Sequence, residues 1–195
     1  MANSIYNVKA WSSTTPYQKD DIVLVKTDIG SSGVPKTIRY FYALKASTGE
    51  SPVDGSDMPT YSSAYWGGYT SINGAPKPYF LWTPSYNVAT AHKPRTLTIN
   101  FGEGYEQRIP DGLFNSPITV SLNFEMRNQK EATAIIHFLK TRKGAQSFGV
   151  KNLPETYADT GVDTYKKLFL CSNFNSRFVF HNNYGVTATF VQKNN

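Results

Sequence analysis

Several features that define whole classes of protein are absent from this sequence. Its 195 residues contain one cysteine, Cys171, which excludes an intrachain disulfide framework and a zinc site built from cysteines. Cys171 lies in an apolar run, so a small buried side chain is favoured over a nucleophile. No apolar run reaches the ~20 residues of a membrane-spanning helix, and residues 1–11 lack the apolar core of a signal peptide. We therefore expect a soluble protein that assembles in a cytoplasm and has no membrane insertion.

Motifs of common nucleotide-binding enzymes are also missing. The glycine-rich stretch FGEGYEQRIPDGLF, residues 101–114, differs from a phosphate-binding loop. Such a loop needs a third glycine where Gln107 stands, followed by a helix, whereas here a proline and a turn follow. Gly102 and Gly104 instead predict a tight turn, and Asp111-Gly112 predicts a second one.

The titratable residues suggest no catalytic or metal site. The histidines are His92, His137 and His181, and nothing in their spacing indicates zinc ligands. Adjacent acidic residues such as Asp20-Asp21 are commonplace in polar loops. The sequence contains no Gly-x-Ser-x-Gly elbow and no His-Glu-x-x-His helix. We therefore expect a protein that is not an enzyme and uses no cofactor.

Charge and composition change along the chain, whose net charge is +6. Residues 1–76 hold six basic and six acidic side chains, so the 14 basic and 8 acidic side chains of residues 77–195 carry the whole excess. The tightest basic cluster, KTRKG at 140–144, predicts a solvated helix end, with nucleic-acid binding as the less favoured alternative. Gly, Pro, Ser and Asn cluster at 67–79 as in a linker. We therefore divide the chain at about residue 75, into domains 1–75 and 76–195.

The first part has the composition of a small β-protein. Thirteen Tyr and twelve Phe in the whole chain favour strands, and residues 21–27 and 37–47 predict a hairpin with a long loop. Because aliphatic residues are few here, aromatic side chains are expected to supply much of the core. These are Trp11, Tyr17, Tyr40, Tyr42 and Trp66.

The second part contains longer alternating segments. Strands are predicted at residues 95–101, 118–126, 168–174, 177–183 and 185–192. In the first of them, Leu97, Ile99 and Phe101 share one face. Alternation in the second predicts four residues on its buried face: Val120, Leu122, Phe124 and Met126.

One amphipathic helix is predicted at about residues 129–143. Asn128 and Glu131 form a variant of the capping box at its start, and Gly144 supplies its stop. The predicted apolar stripe consists of Ala132, Ile135, Ile136 and Leu139. Such a helix is expected to lie over one face of the sheet.

A longer pattern joins the glycine-rich turn to this helix. An Arg-x-Leu-x-x-x-Phe-Gly-x-Gly-Tyr-x-Gln-Arg run extends from Arg95 to Arg108. An Asp-Gly-Leu turn, an alternating strand, a Glu-Ala-x-x-Ile-x-x-Phe-Leu helix and a Gly-x-x-x-Phe segment at 144–148 follow it in order. In this order and spacing, residues 77–195 resemble the minor tail proteins of long-tailed phages, of the type called M in lambda-like phages.

The resemblance implies a tail-tube-like β-barrel or sandwich with one flanking α-helix, and a structural role in the virion tail. Such proteins assemble in the host cytoplasm as a ring, usually a hexamer, between the tail tube protein and the tail-tip or hub proteins of the baseplate. A basic lumen would suit the passage of DNA. Glu103, Glu106 and Arg108 suit a charged contact with a neighbouring subunit. The residues expected to form a turn or subunit contact are Gly102, Gly104, Tyr105, Gln107, Arg108, Asp111 and Gly112.

Residues 1–70 resemble the small chitin-binding carbohydrate modules, with Ala10-Trp11, Tyr42-Ala43 and Trp66 at matching places. The tandem tryptophans that bind sugar in those modules are absent after Tyr42, so the resemblance implies a small all-β module fold more than a sugar site. Candidate contacts with a surface glycan or partner are Trp11, Tyr65, Trp66 and Tyr69. A carbohydrate-binding protein for adhesion to the host surface is therefore the alternative function.

Overall fold

A computed structural model describes residues 8–29, 35–53, 64–68, 79–112, 115–150, 153 and 168–193. Within these ranges the chain is mainly β and contains one α-helix, so the predicted fold class is confirmed. The boundary predicted at about residue 75 lies outside the described residues, as does Tyr69.

The first part of the chain forms a four-stranded sheet, which we call the N-terminal module. Its strands pair in the order β1-β2-β3-β4, namely β1 (Lys9–Ala10), β2 (Ile22–Ile29), β3 (Pro35–Ala43) and β4 (Trp66–Gly68). The antiparallel pair of β2 and β3 is the predicted hairpin. Tyr17 and Trp66 are buried and meet edge to face, with ring centroids 5.2 Å apart, and Trp11 packs against this small core.

The other strands form a curled six-stranded sheet and a separate hairpin. They are β5 (Tyr79–Phe80), β6 (Ala89–His92), β7 (Thr96–Asn100), β8 (Glu106–Pro110), β9 (Ile118–Arg127), β10 (Phe148–Val150), β11 (Leu168–Phe180) and β12 (Asn183–Lys193). Among the described strands, six pair in the order β5-β10-β11-β12-β9-β6, and β7 pairs with β8 alone. The segment predicted as a strand at 168–174 and residues 177–180 of the one predicted at 177–183 belong to one long strand, β11, which stays paired with β12 through a bulge after Cys171. Residues 181–182 form the turn, and Asn183 begins β12.

The helix α1 (Gln129–Arg142) packs on β11 and β12. At its start, Asn128 Oδ1 accepts a hydrogen bond from Glu131 N (2.9 Å), as the predicted cap requires. Ile136 of the predicted stripe is only partly buried. Residues outside the stripe are buried as well, because a second side of the helix, which includes His137, is covered by Tyr40. The buried residues are Ala132, Ala134, Ile135, His137, Phe138, Leu139 and Arg142.

The prediction of a solvated basic cluster at the end of α1 is wrong at Arg142, whereas Lys140 and Lys143 are exposed. Arg142 is fully buried, with its guanidinium over the Phe138 ring at 5.3 Å, because the flat cation can pack on an aromatic face. Lys143 itself adopts the left-handed conformation (φ 51°) and caps the helix one residue before Gly144.

An aromatic cluster fills the space between α1 and the six-stranded sheet. Phe80, which is fully buried, lies at its centre. Its ring centroid is 5.1–6.3 Å from the centroids of Trp82, Phe124, Phe138, Phe148 and Phe190. All five of these pairs are edge-to-face or tilted, which adds an attraction beyond burial.

The predicted buried face of β9 is wrong at Met126, which is 60% exposed. Between Phe124 and Arg127, β9 advances three residues while the facing part of β12 advances two. This β-bulge ends the strict alternation, and Met126 lies in it with a left-handed backbone (φ 55°). The other three predicted residues are buried: Val120, Leu122 and Phe124.

The N-terminal module packs against the body of the chain through two rings expected in its own core. Tyr42 lies against Trp82 with ring centroids 4.5 Å apart. Tyr40 meets His137 of α1 edge to face at 4.7 Å. Tyr42 therefore belongs to the main core cluster and Tyr40 packs against it, which corrects their predicted place in a separate small core.

Two polar contacts reinforce the same junction. Trp82 Nε1 donates a hydrogen bond to Asp20 Oδ1 (3.3 Å), and Lys130 Nζ pairs with the Asp21 carboxylate at 2.9 Å. Burial raises the pKa of Asp20. The module is thus held to α1 and to the segment after β5 by both apolar and polar contacts.

Candidate subunit interface

Residues 96–110 form a two-stranded hairpin, which we call the arm. Gly102 (φ 60°), Glu103 (φ 53°) and Gly104 (φ 83°) all adopt left-handed conformations in its turn. Tyr105 N donates to Gly102 O across the turn (3.1 Å). The two glycines are therefore suited to a backbone that other residues adopt with strain, and the stretch is the turn that the sequence predicts.

Contacts at the base of the arm fix the direction in which it leaves the six-stranded sheet. Arg95 Nη2 donates to Asp111 O (3.3 Å), and its guanidinium lies 3.7 Å from the Asp111 carboxylate. Asp111 N donates to Arg95 O (3.0 Å), and Arg95 N donates to Asn115 O (2.6 Å). Gly112 follows with φ 79°, in agreement with the second predicted turn.

One face of the arm is apolar. Residues directly opposite each other in a hairpin share a face, and the register places Leu97 opposite Ile109 and Ile99 opposite Gln107. Phe101 and Tyr105 extend this face to the turn, where Phe101 N donates to Tyr105 O (2.9 Å). Five large side chains on it are 38–73% exposed. We call them the arm face: Leu97, Ile99, Phe101, Tyr105 and Ile109.

The opposite face of the arm is polar. Thr98 lies opposite Arg108, and Asn100 lies opposite Glu106. Arg108 and Glu106 form an ion pair with each other. The charge contact that the sequence suggests for these two residues with a neighbour is thus already matched inside the arm. Gln107 lies instead among the apolar residues of the arm face.

The arm face is as large as the largest apolar patch of a typical monomer. Its exposed area is roughly 500 Å², taking about 200 Å² for a whole large side chain. The largest apolar patch on a typical monomer is about 300–600 Å² and is often functional. Because an isolated two-stranded hairpin is also marginally stable in water, the arm has the properties of a segment that is completed by a partner.

A second apolar patch lies at the end of the β11–β12 hairpin. Phe178, Val179 and Phe180 are three consecutive residues that are 43–65% exposed, and we call them the tip patch. The Phe178 ring rests on Tyr184 of β12 at 5.5 Å, edge to face. The turn is anchored to α1, because Gln129 N donates to Asn182 Oδ1 (3.1 Å). The tip patch is therefore held in place by the body of the chain.

The aromatic residues considered for glycan contact lie mostly in the core of the N-terminal module. Trp66 is fully buried, and its Nε1 donates to Glu50 O (2.9 Å), so it offers no free ring face for a sugar. Trp11 and Tyr65 are partly buried against the same core, and Lys45 Nζ lies 4.1 Å from the Tyr65 ring centroid. Sugar binding by this module stays a prediction.

Features typical of enzymes are not brought together in the described part of the chain. No group of three or more His, Cys, Asp or Glu there could hold a metal ion. Cys171 is buried and its Sγ donates to Asn173 O (3.4 Å); burial raises the pKa of this thiol to about 11, as fits a small core residue. The helix in the described ranges is too short or too polar to cross a membrane.

Comparison with known families decides the class of protein. The family model described as phage minor tail protein matches residues 78–193. The chain belongs to the phage minor tail protein family. The matched range includes the arm, the tip patch and α1, so the resemblance seen in the sequence is confirmed there. No curated protein matches the chain significantly.

Membership in this family defines the general role of the chain. A phage minor tail protein is a structural component of the virion tail that assembles with other tail proteins. This role is non-enzymatic. The sequence pattern alone did not reveal the exposed arm face of this minor tail protein, since alternation in 95–101 is equally typical of a half-buried strand.

Proposed function

We propose that this phage minor tail protein forms a ring of six copies at the distal end of the tail, between the tail tube protein and the tip or hub proteins. The exposed arm face carries the proposal, because a large apolar surface on a projecting hairpin fits a contact that is permanent in the assembled particle. The protein folds in the host cytoplasm and becomes part of the virion there.

A test of the position uses gold-labelled antibodies against the protein on purified virions. We expect label at the distal end of the tail in electron micrographs. Label along the tube or at the capsid, or complete tails made without this protein, would contradict the proposal.

A test of the arm uses a phage that lacks the gene and is supplied with variants from a plasmid. Serine at the apolar positions of β7 and in the adjoining turn should abolish infectious particles, because the subunit contact loses its apolar area. A matched variant carries serine on the polar face and should restore infectivity. The first variant is Leu97→Ser/Ile99→Ser/Phe101→Ser, and the control is Thr96→Ser/Thr98→Ser/Asn100→Ser. Equal infectivity of the two would count against assembly through the arm.

We infer that DNA passes along the solvent face of the six-stranded sheet. Two cross-strand rows there consist of small neutral side chains, with Ser121 beside Thr189 and Thr187 beside Asn175. The charged pair on this face, Arg177 with Glu125, is matched at 2.9 Å. Because phosphate affinity comes from lysine and arginine, a sheet face of this kind binds DNA weakly and allows it to slide. The sequence suggested a basic lumen, which this inference replaces with a neutral one.

Placing two lysines on this sheet face should slow DNA release. The Asn175→Lys/Thr187→Lys virion is expected to release DNA more slowly than wild type, most clearly at low salt. The same charge change on the module, Thr14→Lys/Thr15→Lys, is the control and should leave release unchanged. Release is followed by the fluorescence of a DNA-binding dye. Identical rates in both variants would refute a DNA path along this face.

A further inference from the structure

Large exposed apolar side chains are concentrated at two places in the described residues. Ten such residues are exposed, of which five form the arm face and three form the tip patch. The other two, Tyr86 and Met126, do not form a third cluster of this kind. One chain therefore carries two separate apolar surfaces on two different hairpins.

We propose that the arm face of one copy docks on the tip patch of the next copy. This inference rests on the proposed function and names the partner surface of the arm. The two surfaces differ from each other, so their contact is head to tail. Repeated contacts of this type give either a closed ring or an open filament, depending on the rotation between copies.

The chemistry of the two surfaces matches. The arm face presents a ribbon of aliphatic and aromatic side chains, and the tip patch presents three consecutive apolar residues at the end of a hairpin. Two charge pairs near these surfaces are already matched within the chain, Arg108 with Glu106 and Arg177 with Glu125. Docking one surface on the other therefore leaves these two charge pairs intact and requires no new ion pair between the copies.

The size of the contact predicts weak association between two isolated copies. The arm face and the tip patch together expose roughly 800 Å², again taking about 200 Å² for each large side chain. A specific stable interface buries about 1,200–2,000 Å² in total, so a single contact of this size holds two copies weakly. In a closed ring every copy uses both its arm and its tip, and a ring on a tail template gains further contacts. We therefore expect weak association in solution and stable association in the tail.

The experiment uses the full chain with single cysteines introduced on the two surfaces. Ile99→Cys lies on the arm face and Val179→Cys lies in the tip patch, while Thr98→Cys lies on the polar face of the arm as a matched control. The native Cys171 is buried. The wild-type chain, oxidised in the same way, measures the background of crosslinks formed by this cysteine. Unchanged thermal unfolding midpoints show that each variant folds.

Oxidation of an equal mixture of two single variants reports which surfaces meet. Ile99→Cys with Val179→Cys should give at least about fivefold more crosslinked heterodimer than Thr98→Cys with Val179→Cys, because disulfides require Cβ atoms about 4 Å apart. The double variant Ile99→Cys/Val179→Cys should give a ladder that ends at six chains. Equal yields from the two mixtures, or an excess of Ile99→Cys homodimer, would overturn the proposal.

The outcome separates this inference from the proposed function. If virions carry the protein at the distal end of the tail while the two mixtures crosslink equally, the arm docks on a different tail protein and only the present inference fails. If the antibody label is elsewhere in the virion, the proposed position fails, whatever the crosslinking shows.

Discussion

Replacing Phe80 by alanine lowers the free energy of unfolding by about 3–5 kcal/mol, as expected for removing a fully buried phenylalanine. The Phe80 ring is fully buried and contacts five other rings between α1 and the six-stranded sheet. Its loss removes the buried apolar area of a whole ring and leaves a cavity that the surrounding rings fill only in part. A single small domain is stable by only about 5–15 kcal/mol, so this change removes a large share of the total.

Urea unfolding of the purified chain measures the effect. Tyr86→Ala is the matched control, because it also removes an aromatic ring but at a position that is 81% exposed, and we expect a change within about 0.5 kcal/mol. A loss below about 1 kcal/mol for Phe80→Ala would show that the cluster relaxes around the missing ring, contrary to the packing described.

Acidification is expected to destabilise the protein through His137. Burial, and to a smaller degree the nearby Lys140 ammonium, lowers the pKa of His137 to about 4. In the unfolded chain its pKa is 6.5, so between these values the unfolded state binds the proton and the folded state does not. Stability therefore falls as the pH drops from about 6.5 to about 4, by about 3 kcal/mol at 1.36 kcal/mol per pKa unit.

His137→Phe isolates this contribution, because phenylalanine keeps an aromatic edge towards Tyr40 but does not titrate. The free energy of unfolding is measured at several pH values across this window in the wild type and in the variant. Carboxylates contribute to the pH dependence of stability in both the wild type and the variant. The contribution of His137 is therefore the difference between the two slopes of unfolding free energy against pH. A variant with the wild-type slope would show that His137 does not carry the effect.

Local patterns in the sequence predict the helix, the turns of the arm and the longer strands of the second part, although they predict β11 as two strands and do not predict the short strands β5, β6, β8 and β10. Alternation locates β9, and Asn128 and Glu131 identify the start of α1. The failures have physical causes that are not local. The bulge at Met126 depends on how β9 and β12 pair, and the burial of Arg142 depends on what lies beside the helix.

The arm shows the same limit at the candidate interface. The sequence locates the turn of the arm at Gly102 and Gly104, and alternation locates its first strand, β7, but not its second strand, β8. Whether Leu97 and Ile99 point into a core or into solvent depends on whether β7 joins the main sheet. That pairing is set by the direction of the chain at Arg95 and Asp111. The alternation of apolar and polar residues in the sequence does not indicate this direction.

The packing of Tyr42 on Trp82 has a consequence for how phages can exchange the N-terminal module. A domain that is joined to its neighbour only by a flexible linker can be lost or replaced by recombination without destabilising that neighbour. Here, deletion of the module would uncover Trp82 and the side of α1 that holds His137. We therefore expect genes that gain or lose this module to carry compensating substitutions at these two places, and a simple truncation before residue 79 to yield insoluble protein.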